Sequence, residues 1–157
     1  MLLPIDNAML DRTVAQAEVS PRRRMIHRYH EHPDPVQRML NAIEPDSYIM
    51  PHKHEDPDKV EVFLALRGRA LVASFTEKGD VLDCVEISPN GPNYGAEMQP
   101  RTWHAVLSLE PGTVLYEVLE GPYIETTHKT FAESFAPPAH EHAAGLAWMR
   151  EKLAAYL

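Results

Sequence analysis

Residues 51–68 read PHKHEDPDKVEVFLALRG, and the fold of the chain turns on how that stretch is laid out. In an extended segment successive side chains point to opposite faces, so Glu61, Phe63 and Ala65 share one face and Val60, Val62, Leu64 and Leu66 share the other. Both faces are mostly apolar. A strand with one wet face does not read this way, so the second face needs cover from terminal elements or another subunit. Double-sheet or closed β architectures meet that demand. Just upstream, His52 and His54 stand two residues apart, and the same alternation turns both imidazoles in one direction.

The flanking sequence repeats the pattern. Ala70 to Phe75, Val81 to Ile87, Trp103 to Leu109 and Thr113 to Leu119 are short runs rich in Val, Leu, Phe and Tyr. Turn residues separate them at Gly68, at Glu77-Lys78-Gly79-Asp80 and at Glu110-Pro111-Gly112. Arg38 to Ile43 is bounded by Pro35 and by Glu44-Pro45-Asp46-Ser47, which favours a strand over a helix. At the ends the period changes. Leu10, Val14 and Ala17 follow the capping pair Asp6-Asn7, and Ser20-Pro21 closes that segment, which predicts a helix over about residues 7–18. Leu146, Met149, Leu153 and Tyr156 mark a second helix over about 142–156. No internal repeat and no Gly-Ser linker divides the chain. The expectation is an all-β jelly-roll barrel over about residues 20–138 with short N- and C-terminal helices, in a single domain spanning 1–157.

Composition narrows the function classes. Among 157 residues, 23 acidic side chains against 15 basic ones give a net charge of −8, which argues against nucleic acid as a partner. The cluster Arg22-Arg23-Arg24 with Arg28 reads as a solvated strand face or an interface. Cys84 is the only cysteine, so no intrachain disulfide forms, and it reads as a small core residue. The start of the chain lacks a basic, then apolar, leader pattern, and no run approaches a membrane span, so a soluble cytoplasmic protein with no membrane partner is expected. The apolar outer strand faces predict a homodimer.

Nine histidines carry the chemical signal, six of them in His-x-His pairs. His52-x-His54 is followed by Glu61, by Gly68 and, fifty residues past His54, by His104. Three imidazoles and one carboxylate, drawn from side-by-side strands, suit one divalent transition ion such as Fe, Mn, Ni, Co or Zn, and offer too few oxygens for calcium. A six-coordinate ion there keeps two positions for water, oxygen or a ligand, unlike a closed structural zinc site. His140-x-His142 has no third partner and reads as solvent-exposed, whereas His27, His30 and His32 lie beside the basic strand, where they could border a pocket.

His52-x-His54-x6-Glu61-x6-Gly68, with Pro100-x3-His104 further on, resembles the two metal-binding motifs of the cupin superfamily. The wider pattern is similar to the WbuC-type cupin-fold metalloproteins associated with bacterial surface-polysaccharide gene clusters. It comprises Asp34, Gln37-Arg38-Met39-Leu40, Pro45-Asp46-Ser47-Tyr48-Ile49, Trp103-His104, Tyr116-Glu117 and Gly121-Pro122-Tyr123, over about residues 20–138. The resemblance implies that His52, His54, Glu61 and His104 are the ligands. It has departures. Asp46 stands where common cupins have Gly, Arg101 replaces the Gly of the second motif, and Ser108 replaces its terminal Asn. Six residues separate His54 from Glu61 instead of three or four, and that insert holds three further carboxylates, Glu55, Asp56 and Asp58.

Other residues each allow two readings. Glu117 interrupts the apolar face of Leu115 and Leu119, so it is a paired interior carboxylate or an acid/base with a raised pKa. Asp34 is a surface partner of Arg38 or a second proton carrier, and Arg38 is either that partner or a clamp for an anionic substrate, with Gln37 beside it. Tyr48, Trp103 and Tyr123 pack the barrel, or stack on a sugar. The functional expectation is a metal-dependent enzyme acting on a sugar or small oxygenated acid in surface-polysaccharide metabolism, isomerase- or epimerase-like or an Fe(II) oxygenase. The alternative is a non-catalytic module that binds a metal or small ligand to regulate a pathway.

Overall fold

The computed structural model describes all 157 residues. Ten strands form two five-stranded antiparallel sheets. The first sheet orders β1 (Arg24–Arg28), β2 (Val36–Ile43), β9 (Thr113–Glu120), β4 (Glu61–Arg67) and β7 (Gly95–Met98) side by side. The second orders β10 (Thr130–Phe131), β3 (His52–Lys53), β8 (Trp103–Ser108), β5 (Ala70–Phe75) and β6 (Val81–Ile87). The sheets stack as a jelly roll and do not close into one continuous barrel, which refines the barrel expectation. Ile43, Phe63, Ala65, Val72, Val106 and Leu115 fill the space between them.

Each outer face has its own cover, which is why so many strands are apolar on both sides. Helix α1 (Asn7–Val19) starts where Asp6 Oδ1 accepts the Met9 N–H at 2.9 Å, and stops at Ser20, held extended ahead of Pro21. Its buried Leu10 and Ala17 lie on Leu40, Ala42 and Val114, with Leu66 packed against them. Leu64, on the same face of β4 as Leu66, stays 42% exposed beyond the reach of the helix. Helix α2 (His142–Lys152), followed by a 3-10 turn over Ala154–Tyr156, covers the second sheet. There Met149 and Leu153 join Leu71, Ala73, Phe75, Trp103, Ala105 and Leu107 in a second core. Burial of each such leucine contributes about 2 kcal/mol. No helix is long and apolar enough to cross a membrane.

Tyr48 belongs to this roof and not to a ligand pocket. It is 1% exposed, its hydroxyl donates to the Pro137 carbonyl at 2.7 Å, and its ring lies so close to Gly145 of α2 that no Cβ fits there. Two arginines of the basic cluster are also tied into the fold, while Arg22 and Arg28 stay exposed. Arg23 pairs with Asp46 at 2.9 Å, while the Arg24 guanidinium donates to the Tyr48 carbonyl at 2.8 Å, and burial pulls its pKa down to about 10.

Candidate metal centre

Antiparallel register puts His52 directly opposite His104, so β3 and β8 aim both rings at the gap between the sheets. His54 follows one residue past β3, with its carbonyl accepting the Arg101 N–H at 3.1 Å. Glu61 opens β4 and lies opposite Leu119 of β9 and Met98 of β7. The carboxylate therefore comes from the facing sheet and not from a strand beside the histidines, which corrects the side-by-side expectation. One nitrogen from each histidine and one Glu61 oxygen lie within 4.8 Å of one another, and all four side chains are at most 3% exposed.

Hydrogen bonding fixes which nitrogens face inward. The Nδ1 atoms of His52, His54 and His104 lie 3.0, 2.7 and 2.9 Å from the carbonyls of Met50, His128 and Thr102. A carbonyl only accepts, so each Nδ1 carries the proton, and each Nε2 presents a lone pair to the centre. His52 Nε2 has no partner. Glu61 Oε2 lies 3.2 Å from His54 Nε2 and 2.7 Å from His104 Nε2, the latter too far off the hydrogen-bond axis to satisfy that nitrogen. Four acceptors converging in a buried space repel one another unless a cation sits among them, and this donor set fits a divalent transition ion. Carbonyl-anchored Nδ1–H groups are the outer-shell contacts that orient metal-ligating imidazoles.

The same crowding governs the charges. Burial, with the positive charge of Lys129, holds His52 far below the usual imidazole range. In the metal-free chain burial works against ionisation of Glu61, and it is protonation of the neighbouring His104 and His54 that outweighs it and pulls the carboxyl well below its usual value. Glu117 behaves oppositely: burial first, then the Glu61 charge, raises it to about 8. Asn41 Nδ2 donates to Glu117 Oε2 at 3.0 Å, while Asn41 Oδ1 and Gln37 Nε2 are buried without partners.

The insert between His54 and Glu61 keeps its own carboxylates outside. Arg101 pairs with Asp58 at 2.7 Å and lies 3.5 and 3.7 Å from Asp56 and Glu55, and Lys53 holds Glu55 at 3.1 Å. Arg101 does this from a left-handed backbone (φ 64), a conformation that glycine adopts more readily. Glu61 is thus the only carboxylate of this stretch that joins the histidines.

Strand parity separates the remaining candidates. Gln37, Met39, Asn41 and Ile43 face the interior, so Arg38 faces out, where it meets Asp34 at 3.2 Å with both side chains about two-fifths exposed. Arg38 and Asp34 form a solvated ion pair and are not brought to the centre. Tyr123 sits at the rim, its ring 4.6 Å from His128 and 4.6 Å from His32, and His128 lies 5.4 Å from His54. His30 is buried against the Arg38 backbone, whereas the His140 side chain is 83% exposed. Asn41 was open to detection as a polar residue on the otherwise apolar Met39–Ile43 face. His128 and Lys129 follow an irregular segment with no periodic signal.

A family model described as a domain of unknown function (DUF6016) matches residues 5–87, more than half of the chain. The chain belongs to the DUF6016 family. No curated protein matches it. Among solved structures, this DUF6016 chain is similar to KdgF from Halomonas sp. at 16% identity and TM-score 0.52, over 69% of this chain and 86% of that one. CapF, a capsular polysaccharide assembling protein from Staphylococcus aureus, aligns at 17% identity and TM-score 0.57, over 72% of this chain and 30% of its own. Oxalate decarboxylase from Bacillus subtilis aligns at 16% identity and TM-score 0.53, over 69% and 27%. The chain thus spans most of KdgF but less than a third of the other two. These likenesses establish the cupin fold for this DUF6016 member.

Proposed function

We propose that this chain is a metal-dependent enzyme in which His52, His54, Glu61 and His104 hold one divalent ion and Glu117 handles a proton of a sugar or small oxygenated acid. The observation that carries the reading is the convergence of three lone-pair Nε2 atoms and one carboxylate within 4.8 Å. A bound Fe, Mn, Ni or Zn ion supplies Lewis acidity toward a carbonyl or hydroxyl. In the metal-free chain burial, with the Glu61 charge, raises Glu117 to about 8, and Asn41 fixes the orientation of its carboxyl. A neutral buried acid beside the ligands suits the proton movements of isomerisation or epimerisation. Gln37 Nε2 is a free donor for the ligand, and Tyr123 borders the rim. Arg38, Asp34 and Tyr48 take no part. The similarity of sequence motifs to WbuC-type proteins, and the name of CapF, support placement in surface-polysaccharide metabolism.

The near-complete burial of all four ligands favours a second reading, a closed module that binds metal without turnover. One experiment separates them. Protein purified without chelators or nickel resin is assayed for metal by mass spectrometry, then incubated with sugar nucleotides and keto acids in D2O while NMR follows deuterium uptake at carbon. Stoichiometric metal with deuterium uptake that Glu117→Gln abolishes supports the enzyme. Metal without uptake supports the closed module, and absence of metal from both forms refutes both readings.

A further inference from the structure

Beside the four ligands stands a cation that the metal chemistry leaves unused. Phe131 lies opposite His52 and Thr130 opposite Lys53 in the β10–β3 pair. Lys129 stands one residue before β10, next to His128, whose ring lies 5.4 Å from that of His54. The backbone just before it is pinned there, because the His128 carbonyl accepts from His54 Nδ1 at 2.7 Å. Lys129 is half-buried and makes no ion pair, whereas Lys53 is matched by Glu55 at 3.1 Å. The Lys129 charge is also felt inside, where it lowers His52 and His128 and acts on Glu117.

The charges around the centre then lack an anion. Three neutral imidazoles, one carboxylate and a divalent ion sum to +1, and Lys129 adds another positive charge inside a chain of net −8. A half-buried ammonium without a partner is costly unless an anion meets it. We infer that Lys129 docks a carboxylate of a small ligand whose other oxygens reach the face of His52, His54 and His104, with Gln37 Nε2 free to add a hydrogen bond. The inference rests on the metal-site reading above and names the substrate class of that site as an organic acid or acidic sugar. A carboxylate fits better than a phosphate. Lysine also binds phosphate, but usually with guanidinium forks or runs of backbone N–H groups beside it, and both Arg38 and Arg101 are already engaged by carboxylates outside.

Calorimetric titration with malonate, with its neutral diamide and with inorganic phosphate tests this on the full chain, as purified and after chelator treatment. Malonate binding is expected, with the diamide much weaker. Lys129→Met should weaken malonate by about tenfold or more, the usual loss for a hydrogen bond to a charged group. Lys129→Arg should restore most of it, and Lys53→Met should leave it within about twofold, because that lysine faces away. Circular dichroism confirms that each variant is folded. Wild-type affinity in folded Lys129→Met, equal binding of the diamide, no malonate binding at all, or a Lys129-dependent preference for phosphate would each overturn the inference. If the purified protein carries no metal, the metal-site reading fails by itself, and the Lys129 comparison still decides the anion contact on the chelator-treated form.

Discussion

Replacing Glu117 by Gln should change how stability depends on pH in the chelator-treated protein. In the folded chain the Glu117 carboxyl is raised to about 8 by burial and by the neighbouring Glu61 charge, against an ordinary value of 4.5. Between those two values the folded state holds a proton that the unfolded state has released. The contribution is therefore complete below the unfolded value and is lost as pH rises toward the folded one. One pKa unit corresponds to about 1.4 kcal/mol, so from pH 5 to pH 7.5 the wild type should lose roughly 3 kcal/mol that the variant keeps. Glutamine is nearly isosteric and its carbonyl can still accept from Asn41 Nδ2, so packing and the hydrogen bond survive. Urea unfolding of both proteins at pH 5 and pH 7.5 measures the difference directly, since titrations elsewhere in the chain are common to both. Parallel pH profiles would show that Glu117 is ionised in the folded protein, and the neutral-acid role would go with them.

Further outcomes follow from the same geometry. His54→Ala and His104→Ala should each abolish stoichiometric metal by mass spectrometry with the β circular dichroism spectrum retained, because both sheet cores exist without the ion, while His140→Ala/His142→Ala should keep full occupancy. Tyr48→Phe leaves the Pro137 carbonyl without its donor and should cost about 1 kcal/mol, read as a fall of a few degrees in Tm, with metal content unchanged. Gly145→Ala should cost more, about 1–3 kcal/mol, because its methyl would meet the Tyr48 ring. A homodimer, which Val36 and Leu64 at 43% and 42% exposure on the first sheet would serve, should sediment at about twice the 17.8 kDa chain mass, and a monomer at micromolar concentration would refute it.

Much of the architecture was written in local pattern. The two-sided apolar runs at Glu61–Arg67 and Ala70–Phe75, the cap at Asp6 and the turn glycines each act through neighbours a few residues away, so the longer strands and the first helix were legible within a residue or two, whereas the short strands β7 and β10 carried no such pattern and the second helix stops at Lys152 ahead of a 3-10 turn. The cluster that could hold a metal was legible in part for the same reason: His52 and His54 share a face by strand parity, while Glu61 and His104 were picked out by resemblance to the cupin motifs. Parity also carried a constraint that went unused. Gln37 and Arg38 are adjacent on one strand, so only one of them could face the interior, and the register of β2 against β9 chose Gln37. What only the tertiary structure decided was long-range. Glu61 reaches the histidines from the opposite sheet. Arg101 holds the carboxylates of the insert away from the centre, and α2 covers Tyr48. The turn after Gly121-Pro122 brings His128 beside His54, although 74 residues separate the two in sequence. Sequence period reports the faces of each element, but which faces meet depends on how the two sheets stack, and no single segment encodes that.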